Sequence, residues 1–178
     1  MFTIISGVGL LLLTLAGFSL FSMKAPKGSE AMSGMANAAI ASFLIEAVHK
    51  YITGDLFNLE FFQTLGSTSG SLGGVAAAIS VPLAMGANPV LAVVAGVAVG
   101  GYGILPGFIA GYAVGLIAPV LERKLPEGLN IIAGALMIAP LARIITILVD
   151  PAVNATLVKI SGTISAAADQ SPLVMGFL

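Results

Sequence analysis

Three side chains within five residues carry most of the chemistry this sequence could offer. Glu46, His49 and Lys50 stand together in LIEAVHKYITGD. Residues three and four apart share a face of an α-helix, so the spacing sets Glu46 beside both His49 and Lys50. A carboxylate and an imidazole so placed can hydrogen-bond sugar hydroxyls or relay a proton. The same spacing fits a plain Glu46–Lys50 ion pair whose long side chains reach water near a helix end. That plainer reading is the favoured one from the spacing alone. Asn37, Asn88 and the Gly66–Gly74 segment add polar groups to apolar surroundings, where they could line a solute path or satisfy helix breaks, the latter favoured. The candidate substrate-binding residues are therefore Glu46, His49, Asn37 and Asn88. Arg143 and Asp150 lie seven apart and could pair, and the Arg143 stem is long enough to reach lipid headgroups.

No catalytic set accompanies them. The chain has no Cys and one His, so disulfides, Cys-based metal sites and Cys nucleophiles are excluded, and no metal or cofactor is expected. Neither a Walker loop nor an HExxH sequence occurs. Gly100-Gly101-Tyr102-Gly103 is no dinucleotide fingerprint, because no strand precedes it. The sequence predicts a non-enzyme.

The elements that position these groups must be membrane helices. Of 178 residues, 58% are hydrophobic and 8% charged, and the mean hydropathy is +1.08. So few charges could not cover a water-soluble surface. A net charge of −1 gives no reason to expect a nucleic-acid partner. The fold class is all-α: a single polytopic membrane domain over 1–178, with about five or six transmembrane helices, some short or broken.

The first span runs from Met1 to Met23 and ends at Lys24 and Lys27, whose charge places that end in the cytoplasm. It lacks the basic start and cleavage site of a signal peptide. Ala31–Thr53 is an Ala/Ser-rich helix polar enough to face protein or a cavity. Leu56–Leu65 is too short to cross alone. Gly66–Gly74, GSTSGSLGG, reads as a non-helical turn, either beside protein and water at membrane depth or on the surface. Ser71–Gly86 makes a short span containing Pro82, and Asn88-Pro89 ends it. Val90–Leu121 would be about 48 Å long as one helix, against a hydrocarbon core of about 30 Å. Pro106 offers a break. If Lys24 and Lys27 lie on the same side as Arg123 and Lys124, the run must cross twice as two short segments. Gly128–Val149, with Pro140, is a further span that Asp150-Pro151 terminates. Ala152–Leu178 follows, and its apolar run from Pro172 reads as the start of another helix.

Gly96 and Gly100 are four apart, as are Gly103, Gly107, Gly111 and Gly115. Such spacing lines one helix face with glycine and lets a second backbone approach closely, which in lipid is what holds helices together.

From about Gly101 onward the pieces LPGFIAGYAVGLI, LERKLPEG and ALMIAPLARIITILVDPAV follow one another. This order is an aromatic, glycine-rich helix, a basic turn with Leu-Pro, and a helix with a central Pro. It resembles the membrane-spanning IIC component of the bacterial phosphoenolpyruvate-dependent sugar phosphotransferase system, in particular its fructose-type branch and uncharacterised relatives. Arg143 stands where that family has an apolar residue beside the Pro. The family's Gly-Gly-Pro-x-Asn-Lys-like segment and acidic sugar-contacting motif do not occur, so the expectation is the N-terminal part of a larger permease. The resemblance implies a sugar substrate bound near the midplane, cytoplasmic IIA and IIB phosphocarrier partners, and location in the bacterial plasma membrane. The glycine faces add an expected homo-oligomer. The alternative is a small membrane scaffold, or a channel-forming oligomer, that transports no sugar. A chain of this length alone would not be expected to translocate sugar.

Overall fold

The structure is a computed structural model and describes residues 2–126 and 129–170. Among the described residues every regular element is helical. Helix α1 is Phe2–Lys24. Helix α2, Gly28–Ala39, continues through two π-helical stretches, Ile40–Leu44 and Ala47–Asp55. Then come α3 (Glu60–Ser71), α4 (Gly73–Ala84), α5 (Pro89–Ala98), α6 (Ile104–Lys124) and α7 (Asn130–Gln170). Among the described residues, three stretches are long and apolar enough to cross a bilayer: Gly28–Asp55, Ile104–Lys124 and Ile131–Thr163. Val8–Lys24, Gly73–Ala84 and Pro89–Ala98 are shorter apolar helices.

The chain divides into two compact units. One comprises α1, the loop to Gly28, and α7 from Pro151 onward. Its α1 presents Leu12, Leu13, Leu15 and Leu20 outward, as a lipid-facing helix should. Hydroxyls there fold back on their own helices: Thr14 donates to the Leu10 carbonyl at 2.8 Å, and Thr156 to Ala152 at 2.9 Å. Such bonds leave no polar group bare in hydrocarbon.

The other unit, Ser29–Asp150, holds the candidate site and is built around α4. Gly73, Gly74, Ala77, Ala78, Val81 and Pro82 of α4 are buried. Its neighbours come close because glycines face it. Gly107 sits on the Gly74 backbone, Gly111 on Ala77 and Ala78, and Gly115 on Met85. Gly96 of α5 meets Ile79, and Gly34 of α2 meets the Ser80–Val81 backbone. The numbers climb together along α4 and α6, so the two run parallel. A core of Ala78, Leu91, Ala95, Val99, Ala110, Val114, Ile138 and Ala142 brings α7 against α5 and α6. The predicted glycine face therefore exists, and its partner is a helix of the same chain. Gly103 and Gly100 belong instead to the turn before α6 and meet little.

The α4–α5 turn is specified residue by residue. Gly86 has φ 88°, a conformation that costs glycine nothing. The Gly86 N–H donates to the Leu83 carbonyl at 3.0 Å and the Ala87 N–H to Pro82 at 2.9 Å. This double bond pattern is the Schellman motif, which satisfies a helix's last carbonyls. Asn88 then accepts from the Val90 N–H at 2.9 Å and caps α5, whose first residue is Pro89. An Asn cap followed by Pro is a favoured helix start. At 12 and 10 residues, α4 and α5 are about 18 and 15 Å long. Each is roughly half a bilayer core.

Three sequence expectations change. Gly66–Gly74 is helical apart from Leu72, not a turn. Glycine's low propensity costs only about 1 kcal/mol per residue, and Gly66 and Gly70 are held by close packing on Lys50 and Glu46. The long run Val90–Leu121 breaks at Val99–Gly103, where Gly101 has φ 89°. Pro106 lies in the first turn of α6, where its missing N–H has no helical partner to lose. Finally, α7 continues through Asp150-Pro151 to Gln170. Pro151 forfeits one bond, but unwinding in an apolar setting would bare several more backbone groups. The Glu127-Gly128 part of the basic turn and the apolar run from Pro172 lie outside the described residues.

Candidate functional site

The helix Gly28–Asp55 departs from α geometry where its polar residues lie. In a π-helix the hydrogen bond spans five residues, and such turns are often found at functional sites. Neighbours on a face become residues four and five apart. Glu46 accordingly meets Lys50, whose ammonium donates to its carboxylate at 3.2 Å. His49, three residues from Glu46, stacks on Phe62 instead, with ring centroids 5.5 Å apart and planes at 14°. The widened turns recruit hydroxyls: Ser42, buried, donates to the Ala38 carbonyl at 2.7 Å, and Thr53 donates to Val48 at 3.2 Å.

Helix α3 folds back along this stretch through a turn at Asn58, which adopts φ 54°, a conformation Asn tolerates better than most residues. The Gly54 carbonyl accepts from the Leu59 N–H at 2.8 Å and from the Gln63 side chain at 3.3 Å. Gly66 then lies on the Lys50 backbone, Gly70 on the Glu46 carboxylate and Gly73 beside the Ser42 hydroxyl. The next glycine, Gly74, meets the Tyr102 and Gly103 carbonyls.

One polar seam results. It runs from Lys50 and Glu46 past Ser42 to a junction where two helix breaks meet, Leu72 between α3 and α4 and Val99–Gly103 between α5 and α6. Broken helices that bring backbone dipoles together are how transporters build sites at membrane depth. Glu46 and Lys50 cancel each other's charge and are partly covered, with side chains 24% and 31% exposed. Beside Phe62 on the same helix, His49 Nδ1 is buried and has no hydrogen-bond partner. An unsatisfied polar atom costs about 1–3 kcal/mol, so its presence needs an explanation.

Of the sequence candidates, Glu46 belongs to this seam, and His49 stands on the same helix against Phe62. Asn37 is on an exposed part of α2, and the Asn88 side chain caps α5. Lys50, Ser42 and Tyr102 are not among the sequence candidates. The spacing of Gly66, Gly70 and Gly74 at four-residue intervals was the available signal, since it marks a close-approach face if the segment is helical.

Half-length helices, glycine-tight packing and a polar seam between helix breaks define a polytopic α-helical membrane protein of the transporter type. The chain belongs to the family described as phosphotransferase system, EIIC, whose model matches residues 29–178. No curated protein and no solved structure matches it. The protein is thus a sugar-transport component of a phosphotransferase system, a membrane part and not a catalytic one.

Proposed function

We propose that this protein binds a sugar at the seam between Glu46, His49 and the helix-break junction, and presents it to a cytoplasmic IIB partner for phosphorylation. Two observations support this reading: the buried, unpartnered His49 Nδ1, and, three residues before it on the same helix, a carboxylate oriented by Lys50. A sugar hydroxyl can donate to or accept from an imidazole nitrogen and donate to a carboxylate. Phe62, stacked on His49, holds the ring in place. The setting is the bacterial plasma membrane, crossed several times, with fructose-type sugars the first class to test. Gly96, Gly107, Gly111 and Gly115, four of the glycines that motivated a self-associating scaffold, pack within the chain instead.

Glu46→Gln tests the proposal. Glutamine keeps an oxygen for Lys50 but loses the charge that strengthens hydroxyl bonds roughly twofold. The variant in the complete protein should bind D-fructose, or whichever hexose of a panel the wild type prefers, about tenfold more weakly, or 1.4 kcal/mol. Its thermal stability should be nearly unchanged. Unaltered affinity by calorimetry would return Glu46 and Lys50 to the role of a plain interfacial pair.

A further inference from the structure

Arg143 is a charged residue within the apolar stretch Ile131–Thr163. Such a charge is rare in lipid and is normally matched by a partner. Here its guanidinium donates to the Ala98 carbonyl at 3.2 Å and the Gly100 carbonyl at 3.0 Å. The same group lies 4.7 Å from the centroid of the Tyr102 ring. Ala98 is the last residue of α5, and Tyr102 immediately precedes the α6 cap Gly103. The carbonyls at a helix C-terminus carry partial negative charge and lack helical partners. A half-length helix leaves them where lipid can offer none.

We infer that Arg143 is a positioning residue for the solute site, pinning the α5–α6 turn so that the Tyr102 and Gly103 carbonyls stay against Gly74. The inference rests on the reading of the helix-break junction as the sugar site. Guanidinium suits the task because one terminal nitrogen, Nη1, donates to both carbonyls while the planar group lies over an aromatic ring. A lysine ammonium is a point charge and can satisfy only part of this. The turn is rich in glycine: Gly100, Gly101 and Gly103 flank Tyr102, and Gly101 has open space around it. Side-chain anchoring from α7 adds to the turn's own backbone bonds, such as Tyr102 N–H to the Val99 carbonyl at 3.2 Å.

The test uses the complete chain in lipid nanodiscs with spin labels at Val97→Cys and Leu148→Cys. Both positions are exposed, and the chain has no native cysteine to remove. The wild type should give one narrow distance distribution. Arg143→Ala should broaden it and weaken binding of D-fructose, or of the hexose that the wild type prefers, about tenfold. Arg143→Lys should recover part of both. If Arg143→Ala fails to fold, Arg143→Lys and Tyr102→Leu carry the test, each broadening the distribution to a lesser extent. An unchanged distribution in these variants would overturn the inference. A broadened distribution with wild-type affinity would overturn the positioning role. A wild type that binds no hexose, while the distribution still broadens, would overturn the junction as a sugar site and leave the anchoring of the turn standing.

Discussion

Gly107→Leu should yield little folded protein in detergent, whereas Gly9→Leu should purify and melt like the wild type. A Cβ at Gly107 would run into the Gly74 backbone, which cannot rotate away as a side chain can. At Gly111 it would meet the Ala77 carbonyl and Ala78 Cα at 3.1 Å. At Gly9 nothing lies within 4 Å. Overpacking ordinarily costs about 1–3 kcal/mol, and a whole leucine against backbone belongs beyond the upper end. No hydrophobic driving force compensates inside a bilayer, because lipid is as apolar as leucine. Fluorescence-detected size exclusion and thermal melts of the three variants give the comparison. Equal recovery and melting of Gly9→Leu, Gly107→Leu and Gly111→Leu would show that the α4–α6 contact does not hold the unit together.

Gly70→Ala and Gly66→Ala should fail in different ways, although both add one methyl to the same helix. At Gly70 the methyl would land on the Glu46 carboxylate, the movable end of a side chain. The carboxylate would swing away from Lys50 and from the seam. Alanine's better helix propensity, about 0.5–1 kcal/mol, would offset most of the adjustment. Gly70→Ala should therefore keep its melting temperature and lose sugar affinity about as much as Glu46→Gln does, roughly tenfold. At Gly66 the methyl would lie 2.5 Å from the Lys50 backbone nitrogen and 3.0 Å from its Cα. Backbone must then move, at about 1–3 kcal/mol, and the variant should melt lower. If Gly70→Ala melted lower while retaining affinity, the carboxylate's orientation would be irrelevant to binding.

How far the sequence reveals this arrangement depends on the range of the forces involved. Asn88-Pro89 is legible because a cap and a following proline act on their own backbone. The Glu46–Lys50 pair is legible for the same reason, since four residues on a helix is a local distance. The face formed by Gly107, Gly111 and Gly115 is legible as a face, yet its partner, α4, is not, because spacing says nothing about what approaches. GSTSGSLGG looks like a loop by composition and is helical because Lys50 and Glu46, some twenty residues earlier, press against it. Arg143 looks like a snorkelling residue. Its contacts with Ala98 and Gly100 span 45 and 43 residues, a separation no local pattern encodes. The π-helical turns are equally hidden.

The stretch Ala47–Asp55 also bears on how this chain should align with its relatives. A π-helical turn holds more residues than an α-helical one, so it behaves as an α-helix into which a residue has been inserted. Gaps in membrane-protein alignments are customarily pushed out to loops, where length changes are tolerated. Here a one-residue gap inside the helix is physically permitted: a relative lacking one residue between Ala47 and Asp55 could tighten to α geometry and still reach the Asn58 turn. Such a relative would carry its equivalents of Gly66 and Gly70 in register with α3, with the residues before the gap turned to a different face. An alignment that shifted the gap to the 56–59 loop would leave Glu46 and Gly70 matched but misplace by one every residue between the true gap and the loop.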